Sequence, residues 1–269
     1  MQTIASRHNP IIRSFRDLAD RPDPEGARLL LDGAHLVREA LSAGFAFEHV
    51  CVAASHLGRG GEEATLAGAI ERSGAGVAVV PDQVFAVISP VRTPSGIVAI
   101  ALPRHPQPTL DEIVRGPSAM LLVAVDVQDP GNVGALLRVA EAAGASGVVL
   151  AGDSANPFSW KALRGSMGSG LRLPVVRADS ALGTIDLLRA HQVRSLAAVA
   201  RGGRAPEDAA PIGRIAIVVG GEGPGLSAEL IARCDDRVTI PMAPPVESLN
   251  VTVAAAILLY ATRRQGNTI

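Results

Sequence analysis

Two glycine- and proline-studded loops in the C-terminal third carry the residues best suited to chemistry. One runs Gly220-Gly221-Glu222-Gly223-Pro224-Gly225-Leu226-Ser227; the other runs Ile240-Pro241-Met242-Ala243-Pro244-Pro245-Val246-Glu247-Ser248-Leu249-Asn250. The first follows the β-branched run Ile215 to Val219, which predicts a buried strand, and the second leads into the apolar run Val251 to Tyr260, which predicts a buried helix. Glycine lets backbone N–H and C=O groups approach a ligand closely, and Gly220, Gly223 and Gly225 fit that need. A packed turn would use the same glycines. Far upstream, Met120 to Val127 predicts a strand, Gln128 to Asn132 a turn and Val133 to Ala143 a helix bearing Arg138. Asn132, Arg138, Glu222, Ser248 and Asn250 thus place two carboxamides, a guanidinium, a carboxylate and a hydroxyl beside predicted strand and helix ends, as a ligand site requires. The run Gly223 to Ala228 also fits the dinucleotide fingerprint G-x-G-x-x-A, but it lies outside the first strand–helix unit and Pro224 stiffens its turn.

Taken together and in order, these segments resemble the SpoU (TrmH-like) branch of the SPOUT RNA 2′-O-ribose methyltransferases. That family's first motif pairs an Asn with an Arg six residues on, as Asn132 and Arg138 are in Asn132-Val133-Gly134-Ala135-Leu136-Leu137-Arg138. Its second centres on a Glu in a Gly-rich loop, matched by Glu222, although Gly221 stands where a small polar residue is usual. Its third is matched by Ile240-Pro241-Met242 and Ser248-Leu249-Asn250-Val251. The likeness covers roughly Met120 to Gln265, and more weakly the opening segment Ile4 to Pro10.

The resemblance implies S-adenosylmethionine as cofactor, with Gly220, Ile240 and Leu249 around it and the two apolar side chains sandwiching the adenine. It implies an RNA ribose 2′-hydroxyl as acceptor, the group that distinguishes RNA from DNA. Such a hydroxyl must be aligned and relieved of its proton. Arg138 matches the family's catalytic arginine, as a base activated by substrate phosphate or as a phosphate clamp; a guanidinium pKa above about 12 favours the clamp on physical grounds. Asn132 and Asn250 would position that arginine or the substrate, Glu222 would orient partners, and Ser248 would hold substrate or loop. Ribosomal RNA is the favoured substrate and transfer RNA the alternative. No metal is expected, since transfer from a sulfonium needs no Lewis acid. A homodimer is implied, with the Val251 to Tyr260 helix a candidate for its surface. A deep trefoil knot, with the segment from Ile240 onward threaded, is implied by likeness alone.

The elements that must hold these residues divide the chain in two. At 269 residues it exceeds the usual size of one domain. Leu29 to Leu31, His49 to Ala53 and Val77 to Val80 predict strands, with helices at Ala34 to Ala43 and Glu62 to Arg72. This N-terminal α/β domain, assigned to 1–102, resembles the ribosomal-protein-like RNA-binding domains that accompany many SpoU enzymes. Pro103, Pro106 and Pro108 fix an extended linker over 103–117. Over 118–269, strands near 120–127, 146–151, 173–176, 195–200 and 215–219 alternate with helices, which predicts a mostly parallel sheet.

Composition supports a globular α/β protein, with 48% hydrophobic residues and 19% charged ones; aromatics at 3% leave core packing to aliphatics. The longest apolar runs fall short of a membrane span, so the cytoplasm is expected. Net charge of −1 gives no general affinity for nucleic acid, though Arg7, His8, Arg13 and Arg16 form a local basic cluster ahead of Asp17 and Asp20. Lys161 is the only lysine, a bias that a GC-rich genome explains. Cys51 and Cys234 read as packed residues, and His35, His49, His56, His105 and His191 lack metal spacing. The Arg164 to Ser169 loop resembles one that meets RNA, or is simply a glycine loop. A catalytically idle RNA-binding protein on the same scaffold is the rival class, but it would not need all five polar groups.

Overall fold

The computed structural model describes residues 1–116, 119–209, 213–221 and 223–266, the last four as backbone. The elements in chain order are β1 (Gln2–Thr3), α1 (Pro10–Asp20), β2 (Leu29–Asp32), α2 (Ala34–Ser42), β3 (Ala46–Ala53), α3 (Ala54–Gly58), α4 (Glu62–Arg72), β4 (Val77–Val80), α5 (Asp82–Ile88) and β5 (Ile97–Leu102). Then come α6 (Leu110–Val114), β6 (Met120–Val125), α7 (Pro130–Ala143), β7 (Gly147–Ala151), α8 (Trp160–Ser166), β8 (Val175–Ala178), α9 (Ala181–Ala190), β9 (Arg194–Ala198), α10 (Pro206–Ala209), β10 (Ile215–Gly220), α11 (Ala228–Arg233), β11 (Asp236–Val238) and α12 (Val251–Gly266).

The chain forms two compact units, one of residues 1–106 and 156–172, the other of 107–155 and 173–269. This differs from the expected division in two places. The stretch 103–117 is not wholly a linker, because Thr109 and Glu112 form a capping box that starts α6, whose Leu110, Ile113 and Val114 are buried in the second unit's core. Residues 156–172, expected in the C-terminal domain, belong with the first unit, where their apolar side chains find partners.

In the first unit a five-stranded sheet runs β1-β4-β3-β5-β2, with β1, β4 and β3 parallel and β5 antiparallel to both β3 and β2. Asn9 caps α1 by accepting the Ile11 N–H at 2.9 Å, Pro10 fixes its first turn, and Ile12, Phe15 and Leu18 turn inward at helical spacing. Trp160 packs against the same core as Phe15 and Phe85. Buried Phe158 faces Gly26, at φ +70°, where a Cβ would lie 2.9 Å from the ring. Asn156 donates to the Asp23 carbonyl at 3.2 Å and accepts the Phe158 N–H at 2.8 Å. Buried Asp32 accepts the Ser89 and Ser95 hydroxyls at 2.6 and 3.1 Å, yet burial outweighs them and raises its pKa above the ordinary 3.8. Burial also pushes the Cys51 thiol up to about 12.

The second unit is built on a six-stranded sheet in the order β11-β9-β10-β6-β7-β8, every pairing parallel. Helices on both faces explain why β7 is buried throughout and β6 and β10 nearly so. Because the strands are parallel, their carboxyl ends share one edge. From β6 the chain adds β7 and β8 on one side, whereas β10, β9 and β11 lie on the other. The topological switch point therefore falls between β6 and β10, the crevice where open α/β sheets bind ligands. At the far edge the chain leaving β9 returns along the outside of β11. Arg204 donates its N–H to the Arg237 carbonyl at 3.0 Å and accepts the Thr239 N–H at 2.9 Å, so β11 is held between β9 and the 202–204 loop. Among the described residues no helix is long and apolar enough to cross a membrane.

Candidate active site

At the switch point two loops are built against each other. Asp126 ends β6 in the left-handed region at φ +56°, and Asp129 then caps α7 by accepting the Asn132 N–H at 2.8 Å, with Pro130 in the first turn. Opposite, Gly221 donates its N–H to the Val125 carbonyl at 2.7 Å. A Cβ on Gly221 would run into the Asp126 carbonyl oxygen, so glycine is required here by backbone approach. At Gly220 a Cβ would lie 2.5 Å from the Gly225 carbonyl carbon and 2.6 Å from the Leu226 nitrogen. Its small size thus lets the loop fold on itself, a different reason from the close ligand approach expected of it. Gly223 and Gly225, at φ +103° and +67°, face open space and supply the turn.

The loops enclose a cleft of about 500 Å³, within the usual range for small-molecule sites. Its walls are Ala198–Ala200 at the end of β9, residues 219–221 and 223–226, and a third side formed by Ile240, Met242, Ser248, Leu249 and Asn250 with the first turns of α12. Gly220, Ile240, Leu249, Ser248 and Asn250 therefore all line it. Asn132 joins them indirectly. Asn250 accepts the Thr252 N–H at 2.8 Å, capping α12, which leaves its amide nitrogen to donate to Asn132 Oδ1 at 3.3 Å. Glu222 lies outside the described residues.

Arg138 does not line this cleft. Six residues along α7 from Asn132, it stands roughly 9 Å further down the axis and about 120° around it. It is exposed, with no hydrogen bond or ion pair to any described residue. Sequence reasoning also missed Ala198–Ala200 as cleft wall, although the carboxyl ends of parallel strands are where such walls arise.

An adenosyl group fits the cleft. Leu226, Ile231, Ile240, Leu249 and Leu258 offer apolar faces to a flat ring, while the glycine loop offers main-chain donors and acceptors to its edge. Among the described residues no group of three or more His, Cys, Asp and Glu could hold a metal ion.

Residues 119–260 match the SpoU rRNA methylase family, and residues 9–99 match the MRM3-like substrate binding domain. The chain is 32% identical over 98% of its length, and 94% of the other's, to a tRNA/rRNA methyltransferase of Synechocystis. It is 30% identical over 98% of its length, and all of the other's, to the 23S rRNA (guanosine(2553)-2′-O)-methyltransferase RlmP of Bacillus subtilis. The AdoMet-bound rRNA methyltransferase from Sinorhizobium meliloti superposes with a TM-score of 0.85 at 28% identity, covering 99% of both chains. With Ser248 and Asn250 lining one cleft at the switch point of a parallel sheet and Asn132 bonded to Asn250 beside it, this chain belongs to the SpoU rRNA methylase family.

Proposed function

We propose that this chain is a cytoplasmic RNA methyltransferase that uses S-adenosylmethionine to methylate a ribose 2′-hydroxyl of ribosomal RNA. The observation that carries the reading is the cleft itself, beside which the Asn250–Asn132 hydrogen bond joins segments 118 residues apart. When bound, S-adenosylmethionine supplies an electrophilic methyl group on a sulfonium. Ile240 and Leu249 hold the adenine, and the 220–225 main chain reads its edge. Asn132 and Asn250 hold the acceptor strand beside the cleft, Ser248 steadies the loop between them, and Glu222 orients a partner there. Arg138 clamps a substrate phosphate and so orients the reacting hydroxyl.

The standing-off of Arg138 fits a homodimer that completes the site. Val253, Ile257 and Tyr260 form an exposed apolar stripe on α12, which packs along α7, the helix that bears Arg138. A second copy covering that stripe would bring an Arg138 from across the two-fold to the cleft. The bracketing of β11 fits a knotted C-terminal segment. The first unit serves to bind RNA, in keeping with its match to a substrate-binding domain.

The test is to map methylated riboses in ribosomal and transfer RNA from cells with and without the chain. One ribose of ribosomal RNA is expected to lose its methyl group, and a 2′-deoxy nucleotide at that position is expected to block transfer in vitro. Identical maps, or a deoxy substrate methylated at the normal rate, would sink the ribose assignment.

A further inference from the structure

A second cavity, of about 440 Å³, lies beside the cleft and has no part in the chemistry above. Gly202, Gly203 and Arg204 form one wall, and Ile231, Ala232, Cys234, Asp235, Asp236 and Arg237 form the rest. Its two carboxylates are already engaged. Asp235 accepts the N–H and hydroxyl of Ser195, each at 2.8 Å, and Asp236 Oδ2 is held by Arg194 at 2.8 Å. The two arginines of the wall remain available. Arg204 is exposed, and its guanidinium reaches only the Asp236 oxygen that Arg194 occupies, at 3.4 Å. The Arg237 side chain is exposed and has no partner among the described residues. Glu207 and Asp208, on nearby α10, are not part of the wall.

The backbone here is built to stay open. Gly203 has no room for a Cβ, which would lie 2.7 Å from the Val238 carbonyl carbon, so the loop is pinned against β11. Gly202, at φ +78°, faces open space, and its N–H has no partner among the described residues. A pinned loop offering an unused N–H beside the unpartnered Arg237 guanidinium and an exposed Arg204 that shares Asp236 with Arg194 is suited to an anion, and the planar guanidinium fork suits phosphate in particular. Position identifies which phosphate. Ile231 belongs to both the cavity and the cleft, and Ala200 in the cleft wall is two residues from Gly202.

We infer that Arg204 and Arg237 form a phosphodiester subsite that grips the RNA strand next to the ribose entering the cleft. This rests on the reading of the cleft as an RNA site. It adds a sequence-independent hold on the substrate beside those proposed for Arg138 and the first unit.

The test is binding of a labelled single-stranded oligoribonucleotide by the full-length chain across a salt series. The double variant Arg204→Ala/Arg237→Ala is expected to bind it about tenfold or more weakly, since it loses charge-assisted hydrogen bonds to phosphate. The slope of log affinity against log salt should shrink by about 0.7, for the one phosphate no longer neutralised. Affinity for S-adenosylmethionine should not change. The Arg204→Lys/Arg237→Lys variant, which keeps the charge, should recover the slope. Wild-type affinity and slope in the alanine variant overturn the subsite, as does a lysine variant no better than alanine. The two readings fail separately. Arginine-dependent binding without methyl transfer by the wild type would keep the subsite and remove the proposed function. Methyl transfer with unchanged binding in the alanine variant would do the reverse.

Discussion

Arg138 is exposed and has no partner among the described residues, so its removal leaves the fold almost untouched and its effect should appear in the chemistry. Arg138→Ala is expected to slow methyl transfer about 10²–10⁴-fold while cofactor affinity stays within a few-fold, because lost orientation and proton handling fall on the transition state. Arg138→Lys should rescue little, since an ammonium cannot reproduce the bidentate fork. Single-turnover rates on RNA check both, and a near-wild-type rate in the alanine variant would return Arg138 to the ordinary surface. Much of the site was legible in the sequence because glycines, prolines and paired polar groups stand at strand ends. The reason for each glycine was not. Gly220 and Gly221 are demanded by main-chain approaches within and between loops, which only the folded positions of Gly225 and Asp126 reveal. The meeting of Asn132 with Asn250 carries no local signal either, since the two stand 118 positions apart in the chain.

Helix α12 has two characters. Val251, Ala255, Leu258 and Leu259 are buried, while Val253, Ile257 and Tyr260 are 48%, 39% and 44% exposed along one line. If a second copy covers that line, Ile257→Asp buries a charge at the interface at a cost of several kcal/mol and weakens the dimer about a hundredfold or more. Sedimentation should then find monomers, with cofactor binding retained and methyl transfer lost. A variant that stays dimeric, or a fully active monomer, would place the interface elsewhere. Apolar runs foretold the strands β3, β4, β6, β7 and β10 because parallel and central strands need apolar side chains on both faces, and β2, an antiparallel edge strand, because all four of its residues are buried. Weak patterns hid β1 and β11. Gln2–Thr3 is wholly exposed and exists only by pairing with β4, and Asp236–Val238 is a three-residue edge strand with one buried side chain. Helix α7 begins earlier than the apolar run suggested because Asp129 and Pro130 are themselves its start signal.

The whole chain is less separable than its proline-rich middle suggests. Cutting near Gly116 would strip α6 from the core it helps to fill, and cutting after Pro106 would leave the first unit without Phe158 and Trp160. Burying Phe158 alone contributes about 1.5–3 kcal/mol. A fragment of residues 1–106 should therefore melt well below the first unit of the intact chain, and joining 156–172 to it through a flexible tether should restore the difference. Equal melting temperatures with and without that segment, read by circular dichroism, would reduce it to decoration. The order of synthesis acquires a meaning here. Domains made first on a ribosome commonly fold first, but this amino-terminal sheet must wait, partly bare, until β6, α7 and β7 have been made and Arg172 has followed. Its completion is thus tied to the birth of the methyltransferase core, and nascent chains stalled before Asn156 should be the ones that chaperones hold.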